Sequence, residues 1–116
     1  ENEMKKGYEI LFMAPRSQRH HGKPMLDAVI AIAKAHGIHR YTRRANTESV
    51  GQDGRAHATH FFELADEPEE LLFVLGAHRS AELLDAVRSE ALHVFCVRRA
   101  IEFGHLDAPD NETGHE

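Results

Sequence analysis

The chain has 116 residues, of which 41% are hydrophobic, so its length and composition fit one globular domain. Its formal net charge is −5, but six of its 19 acidic residues lie in the terminal segments 1–3 and 107–116. The rest of the chain is nearly neutral, which is atypical of a nucleic-acid-binding protein. No apolar run approaches the roughly 20 residues that a membrane-spanning helix needs.

One domain is predicted over residues 4–106, and the acidic segment 107–116 is expected to be disordered. No charged-then-apolar leader precedes the first strand, so we expect a cytoplasmic location. The single cysteine, Cys96, excludes an internal disulfide and a cysteine-based zinc site. Because it lies in the apolar run 92–97, we expect it to be a small buried core residue rather than a nucleophile.

The first predicted elements are a strand and a helix. Residues 8–13 are aromatic and aliphatic and end before Pro15, a pattern typical of a β-strand. A polar loop leads to Pro24, which suits the first position of a helix because the N–H it lacks would go unpaired there. Apolar residues with helical spacing over residues 26–33 indicate one buried face, and Gly37 is expected to end the helix.

A long hairpin arm is predicted next. Residues 38–45 and 57–64 form its two extended sides, and the turn-forming residues 46–55 form its loop. The first side is rich in arginine and poor in aliphatic residues, which places it at a sheet edge. The acidic run 66–70 is interpreted as a solvated charge run that ends the arm.

The second half of the chain predicts a strand, a helix and a last strand. Residues 71–75 are apolar on both faces, as in a strand that is covered from both sides. Ser80 is the expected N-cap of a helix whose buried stripe runs over residues 83–91. Residues 92–97 form the last strand, and residues 98–104 extend it.

The element order β-α-β-β-α-β, with the arm between the second and third strands, predicts an α+β fold of the ferredoxin-like split-βαβ type. In this topology both helices cover the same face of an antiparallel sheet, so they cover only one face of strand 71–75. The second apolar face needs another cover, and the same face of a second copy is the simplest one. We therefore expect a homo-oligomer.

Histidines are the candidate metal ligands. His57 and His60 lie three residues apart on a predicted strand, so they point to opposite faces, and His20 and His21 are adjacent in a loop. None of the ten histidines belongs to an H-E-x-x-H motif or to a Cys/His cluster, so a metal site is the less favoured interpretation. Sequence motifs of nucleophilic or nucleotide-dependent catalysis are also absent, and we do not expect an enzyme.

The arm is the candidate anion-binding element. Residues 39–60 contain four arginines against two acidic residues. Guanidinium groups beside a glycine-containing loop suit a phosphate or a carboxylate. An edge strand protected from aggregation by its charge explains the same arginines equally well. Further positive charge is available in the first loop and the last strand, at Arg16, Arg19, Lys23, Arg98 and Arg99.

Six segments, taken in order, carry a resemblance to a known family: Arg19–Leu26, Ala33–Ile38, Gly51–His57, His60–Pro68, Val94–Val97 and Glu102–Gly104. Through them the chain resembles the DUF190 family of the PII-like superfamily, which are relatives of the nitrogen regulatory protein PII. The resemblance implies a ferredoxin-like homotrimer whose sheets face inward, with ligand clefts between subunits. In PII proteins the loop between the second and third strands, the T-loop, rearranges when nucleotide binds and then engages partners; here it corresponds to residues 45–68.

Some PII positions differ in this sequence. The turn between the second helix and the last strand is only Ser89–Ala91, where PII proteins carry glycines and a lysine. PII proteins also carry arginines along their final strand. The corresponding positions of this sequence hold Glu102 and Gly104, although Arg99 has a counterpart.

The leading hypothesis is a PII-like trimeric regulator that binds a small anionic ligand between its subunits and switches the arm between states, with an adenine nucleotide as the candidate ligand. Its expected target is a membrane transporter or an enzyme. The candidate ligand-binding residues are Lys23, Arg43, Arg44, Gly51, Arg55, His57 and Arg99. The alternative is a metal-binding trimer that resembles CutA proteins, with ligands among His20, His21, His57 and His60.

Overall fold

The computed structural model describes residues 3–45, 62 and 67–107. Its elements are β1 (Lys5–Pro15), β2 (Arg19–His20), β3 (Lys23–Pro24), α1 (Met25–Ala35), β4 (Thr42–Ala45), β5 (Pro68–Gly76), α2 (Ala77–Ser89) and β6 (Phe95–Phe103). The strands β2 and β3 form a separate small ribbon. The remaining elements follow the order β-α-β-β-α-β, which confirms the predicted α+β split-βαβ fold.

The strands β1 and β5 form the centre of the sheet. The strand order is β4-β5-β1-β6, and all neighbouring strands are antiparallel. In this register Phe12 of β1 lies between Leu71 of β5 and Cys96 of β6. The strand β4 lies at one edge with all four residues exposed, as its arginine-rich sequence predicted.

Both helices pack on one face of the sheet and form the main core with it. Ile10, Phe12, Leu71, Phe73 and Leu83 are fully buried there. The rings of Phe12 and Phe73 meet edge to face, with centroids 5.9 Å apart. Each buried side chain of this size contributes roughly 1.5–3 kcal/mol, so this face provides most of the stability. No helix in the described part of the chain is long and apolar enough to span a membrane.

The helix α1 ends at a glycine, as predicted. Gly37 has a φ of 79°, in the left-handed region that glycine adopts without strain. Its N–H donates to the carbonyl of Lys34, and the N–H of Ile38 donates to the carbonyl of Ala33, the hydrogen-bond pair of a Schellman motif. Because Ile38 is buried in this cap, β4 begins only at Thr42, and the predicted strand 38–45 is too long.

Two other predicted boundaries are wrong. The helix α2 starts directly after β5 with Gly76 at the N-cap, so Ser80 is not the cap; it lies in the first turn and is 1% exposed. Its Oγ has no hydrogen-bond partner in the described residues. The last strand starts at Phe95 rather than at Leu92, because Leu92 packs into the core from the preceding turn. The predicted extension of this strand is present.

The acidic run is solvated at Glu67, whose side chain is 68% exposed, but not at Glu69 and Glu70. The strand β5 starts at Pro68, so Glu69 and Glu70 belong to the strand. Glu70 is 4% exposed, and arginines of β4 pair with both glutamates. The solvated interpretation is therefore wrong for Glu69 and Glu70, because the fold brings distant arginines to these two carboxylates.

Cys96 is exposed, which contradicts the prediction of a buried core cysteine. It lies opposite Phe12 on the helix-covered side of β6. However, β6 is an edge strand, and α2 leaves an open groove beside it. Cys96 therefore remains exposed although the residues around it in the sequence are apolar.

The predicted alternation of β5 is confirmed. Leu71 and Phe73 pack against the helices, whereas Leu72 and Val74 lie on the sheet face away from the helices, which we call the open face. Leu72 belongs there to an apolar cluster, and Val74 is 43% exposed. Phe62 also packs on this face, with its ring edge to face with that of Phe95, the centroids 5.7 Å apart.

Candidate functional site

The structure describes four of the predicted ligand-binding residues: Lys23, Arg43, Arg44 and Arg99. The other three candidates, Gly51, Arg55 and His57, lie outside the described residues. The same holds for the metal candidate His60, for the predicted hairpin side 57–64 except Phe62, and for the tail 108–116.

Arg43 lies on the helix-covered side of β4, where two carboxylates hold its guanidinium. Its Nη1 donates to Oδ1 of Asp27 on α1 at 2.5 Å, and its Nη2 donates to Oε1 of Glu69 on β5 at 2.9 Å. Partial burial lowers the pKa of Arg43, but the hydrogen bonds to Asp27 and Glu69 outweigh it and raise the pKa above its ordinary value. Arg43 is therefore a fixed positive charge that joins α1, β4 and β5.

Arg16, in the loop after β1, brings a second guanidinium to Glu69. Its Nε lies 3.3 Å from Oε2 of Glu69 and 3.9 Å from Oε1 of Glu67. Its backbone N–H donates to the carbonyl of Glu67 at 3.3 Å. Glu67 has a φ of 48°, which is uncommon for a residue with a side chain. We call this group the Arg16–Arg43 cluster; it also contains Asp27, Glu67 and Glu69, and it lies where the arm rejoins the sheet.

Arg44 and Arg99 lie on the open face, away from the Arg16–Arg43 cluster. Side chains alternate along a strand, so Arg44 points to the opposite side of β4 from its neighbour, and its Nε lies 3.6 Å from Oε1 of Glu70. Arg99 pairs with Glu9 of β1. The strands β4 and β6 are the two edges of the sheet, three strand spacings or roughly 14 Å apart. One chain therefore does not bring Arg44 and Arg99 into a common site.

Lys23 is exposed in the β2–β3 ribbon, next to two of the candidate histidines. The ribbon turns at His21 and Gly22, whose φ angles are 52° and 82°, as in a type I′ turn. The rings of His20 and His21 lie with centroids 4.2 Å apart, and Nε2 of His20 is buried without a hydrogen-bond partner in the described residues. The ribbon leads directly into α1, whose Asp27 belongs to the Arg16–Arg43 cluster.

The metal-binding alternative gains no support. Within residues 3–45, 62 and 67–107, no group of three or more His, Cys, Asp or Glu side chains could hold a metal ion. The pair His20 and His21 therefore has no third ligand of this kind among the described residues.

A groove that sequence reasoning missed lies between α2 and β6 on the helix-covered side, with a volume of about 390 Å³. Arg98 extends over the ring of Tyr8, 4.7 Å from its centroid. Desolvation raises the pKa of the Cys96 thiol, and the charges of Arg88 and Arg98 act in the opposite direction without cancelling it. Both the burial and the direction of this pKa shift favour the protonated thiol. The lining residues are Phe12, Leu84, Val87, Arg88, Leu92, Val94, Cys96 and Arg98.

The family model DUF190, described as "Uncharacterized ACR", matches residues 12–103 of the chain. The chain belongs to the DUF190 family. This confirms the resemblance that the sequence motifs indicated. A search of the curated proteins gives no match.

Solved structures similar to this DUF190 protein are PII-like proteins. CPII from Thiomonas intermedia K12, bound to ADP, AMP and acetate, gives a TM-score of 0.60 at 13% identity, covering 89% of this chain and 93% of CPII. The apo form of CPII, a nitrogen regulatory PII-like protein, gives 0.58 at 11% identity, covering 89% and 97%. A protein from Thermus thermophilus assigned to PII-like signaling gives 0.57 at 9% identity, covering 87% and 91%. At these identities the similarity shows that the DUF190 protein has a PII-like fold.

Proposed function

We propose that this DUF190 protein is a PII-like signalling protein that assembles as a homotrimer and binds an adenine nucleotide in the clefts between its subunits. Binding switches the arm between β4 and β5, which acts on a membrane transporter or an enzyme. The protein works by binding rather than by catalysis, in the cytoplasm. The observation that carries the proposal is the placement of Arg44 and Arg99 on one face of the sheet but at its opposite edges.

A ring of copies brings opposite edges together. In a cyclic assembly different surfaces of neighbouring subunits meet, so β4 of one copy can lie beside β6 of the next. Arg44 of one copy and Arg99 of its neighbour then line the same cleft. Each of these arginines pairs with a carboxylate in the single chain, and a phosphate can replace a carboxylate as the partner of a guanidinium.

The open face provides the surface for assembly. Leu11 and Met13 form an apolar cluster there with Leu72 and Val97, and Val74 remains 43% exposed beside it. A sheet with an apolar face normally packs against a second layer. A trimer whose sheets face inward supplies that layer with copies of the same surface.

The proposed ligand follows from the arginines and from the neighbours. CPII was crystallised with ADP and AMP, and in another form with ADP, AMP and bicarbonate. Arginine is well suited to bind phosphate because its planar guanidinium donates two parallel hydrogen bonds. Lys23 and Arg43, together with Gly51, Arg55 and His57 of the arm, remain candidate ligand-binding residues.

Light scattering and isothermal titration calorimetry test the proposal. We expect a particle of about three times the chain mass of 13.1 kDa that binds one ADP or AMP per chain. Arg99→Gln should weaken binding about tenfold or more, because a hydrogen bond to a charged group contributes roughly 1.5–3 kcal/mol. Arg88→Gln on α2 is the matched control and should bind like the wild type. A monomer that binds no adenine nucleotide would refute the proposal.

A further inference from the structure

Two guanidinium groups from distant parts of the chain converge on one carboxylate. Oε2 of Glu69 lies 3.3 Å from Nε of Arg16, and Oε1 of Glu69 accepts a hydrogen bond from Nη2 of Arg43 at 2.9 Å. The Glu69 side chain is only 19% exposed, so most of it is shielded from water. Each of its oxygens therefore contacts a different arginine in a partly desolvated position.

In this arrangement two arginines hold an anion that the chain itself supplies. Guanidinium groups bind carboxylate and phosphate oxygens through the same N–H···O hydrogen bonds, and a phosphate offers more acceptor oxygens and more charge. Arg43 also donates to Asp27, and Arg16 also lies 3.9 Å from a carboxylate oxygen of Glu67. If Glu69 were displaced, each arginine would thus keep one carboxylate neighbour.

We propose that Arg16 and Arg43 form a phosphate-binding subsite in which Glu69 is an internal competitor of the ligand. A phosphate group binds by taking the place of the Glu69 carboxylate, and Glu69 lowers the affinity of the ligand-free chain. The subsite lies on the helix-covered side of β4, on the other side of the sheet from Arg44 and Arg99. It is a second anion site, separate from the proposed nucleotide cleft, and it goes beyond the proposed function.

The position of Glu69 gives this exchange a consequence for regulation. Glu69 lies on β5 just after the arm, and Arg16 also holds the backbone carbonyl of Glu67. That hydrogen bond comes from the backbone N–H of Arg16, and the side chains of Arg16 and Arg43 add the contacts to Glu69 at the same junction between the arm and the sheet. Phosphate binding and the state of this junction are coupled through the same two arginines.

Removal of the competitor tests the subsite, with inorganic pyrophosphate as the probe and calorimetry on the full chain. Glu69→Gln keeps the size of the side chain and removes its charge, so we expect pyrophosphate to bind about fivefold tighter than to the wild type, the effect of one partly exposed ion pair. Glu102→Gln is the matched control. It removes the same charge at the opposite end of the sheet, where residue 102 lies opposite Lys6 in the β1–β6 register, and should leave the affinity unchanged. Adding Arg43→Gln to Glu69→Gln should abolish the gain.

A Glu69→Gln variant that binds pyrophosphate no tighter than the wild type would overturn the subsite, as would a gain that survives Arg43→Gln. A measurement by NMR on the wild type needs no folded variant. The Nε–H resonances of Arg16 and Arg43 should shift as pyrophosphate is added. Resonances that do not shift would overturn the subsite as well.

Titration with ADP separates the subsite from the proposed function. If Glu69→Gln gains affinity for pyrophosphate but neither protein binds ADP, the subsite stands and the nucleotide function fails. If the wild type binds ADP and Glu69→Gln changes neither ADP nor pyrophosphate affinity, the function stands and the subsite fails.

Discussion

The central strand β1 contains Gly7, and we expect the replacement of this glycine by alanine to destabilise the sheet. A Cβ at Gly7 would collide with the carbonyl oxygen of Leu75 and would lie 2.6 Å from Cε1 of Phe103. The Phe103 ring can rotate away, but the Leu75 carbonyl belongs to the backbone of the paired strand β5 and cannot. We expect Gly7→Ala to lower the free energy of unfolding by about 2–3 kcal/mol, the upper range for overpacked cores. For a domain of this size that lowers Tm by roughly 10–20 °C.

Gly76 is the matched control, because it lies directly opposite Gly7 in the β1–β5 register, and a Cβ there meets no atom within 4 Å. Alanine is a poorer N-cap than glycine but restricts the unfolded chain, so Gly76→Ala should stay within about 1 kcal/mol of the wild type. Thermal unfolding followed by circular dichroism, at one fixed protein concentration, measures both variants. If Gly7→Ala melts at the temperature of Gly76→Ala, the strand register described above is refuted.

Three further predictions concern the helices and the last strand. Gly37→Ala should cost about 1 kcal/mol in urea unfolding, because alanine is strained at a φ of 79°; an unchanged midpoint would contradict this. The hydrogen bond with His36 lowers the pKa of Glu82 from its ordinary value of 4.5. The stability that this hydrogen bond contributes is therefore present above pH 4.5 and is lost as the pH falls through the lowered pKa. Glu82→Gln should therefore show a smaller loss of Tm in this acidic range than the wild type, and equal losses would argue against the bond. Cys96 should react slowly with iodoacetamide at pH 7 despite its exposure, because desolvation raises the pKa of its thiol. Arg88→Gln should slow the reaction further, because it removes a charge that lowers this pKa. Mass spectrometry measures the reaction rate of both proteins, and a rate equal to that of free cysteine would contradict the prediction.

The parts of the fold that the sequence predicted correctly have local signals. The end of α1 needs a residue that tolerates a positive φ, and Gly37 provides it within the helix pattern itself. The alternation of residues 71–75 is a period-two pattern that correctly separates Leu71 and Phe73 from Leu72 and Val74. Order and topology followed, because elements that are consecutive in the sequence tend to be adjacent in the fold and their connections rarely cross.

The errors arose where the environment of a residue depends on distant parts of the chain. Glu69 and Glu70 resemble a solvated charge run in the sequence, and their burial depends on arginines that the fold delivers from the first loop and from β4. Cys96 lies in an apolar run, but its exposure follows from the position of β6 at the sheet edge. Neither the arginine partners of Glu69 and Glu70 nor the edge position of β6 can be predicted from the neighbouring residues in the sequence.

The candidate site was predictable only in part. Arg43 and Arg44 are adjacent on a strand, so the period-two rule alone places them on opposite sides and rules out a joint contact with one small anion. The sequence contained no sign that Arg16 contacts the same carboxylate as Arg43, because this contact requires the tertiary fold. The separation of Arg44 from Arg99 likewise required the strand order of the sheet.

In the proposed trimer, each ligand cleft takes Arg44 from one subunit and Arg99 from the next, and subunit mixing tests this directly. The Arg44→Gln and Arg99→Gln proteins should each bind ADP weakly, because every cleft lacks one arginine. When the two variants are refolded together in equal amounts, about a quarter of the clefts join an intact Arg44 to an intact Arg99. We predict that calorimetry of the mixture recovers wild-type ADP affinity at about a quarter of the wild-type stoichiometry. A mixture that recovers no high-affinity site would contradict the shared cleft.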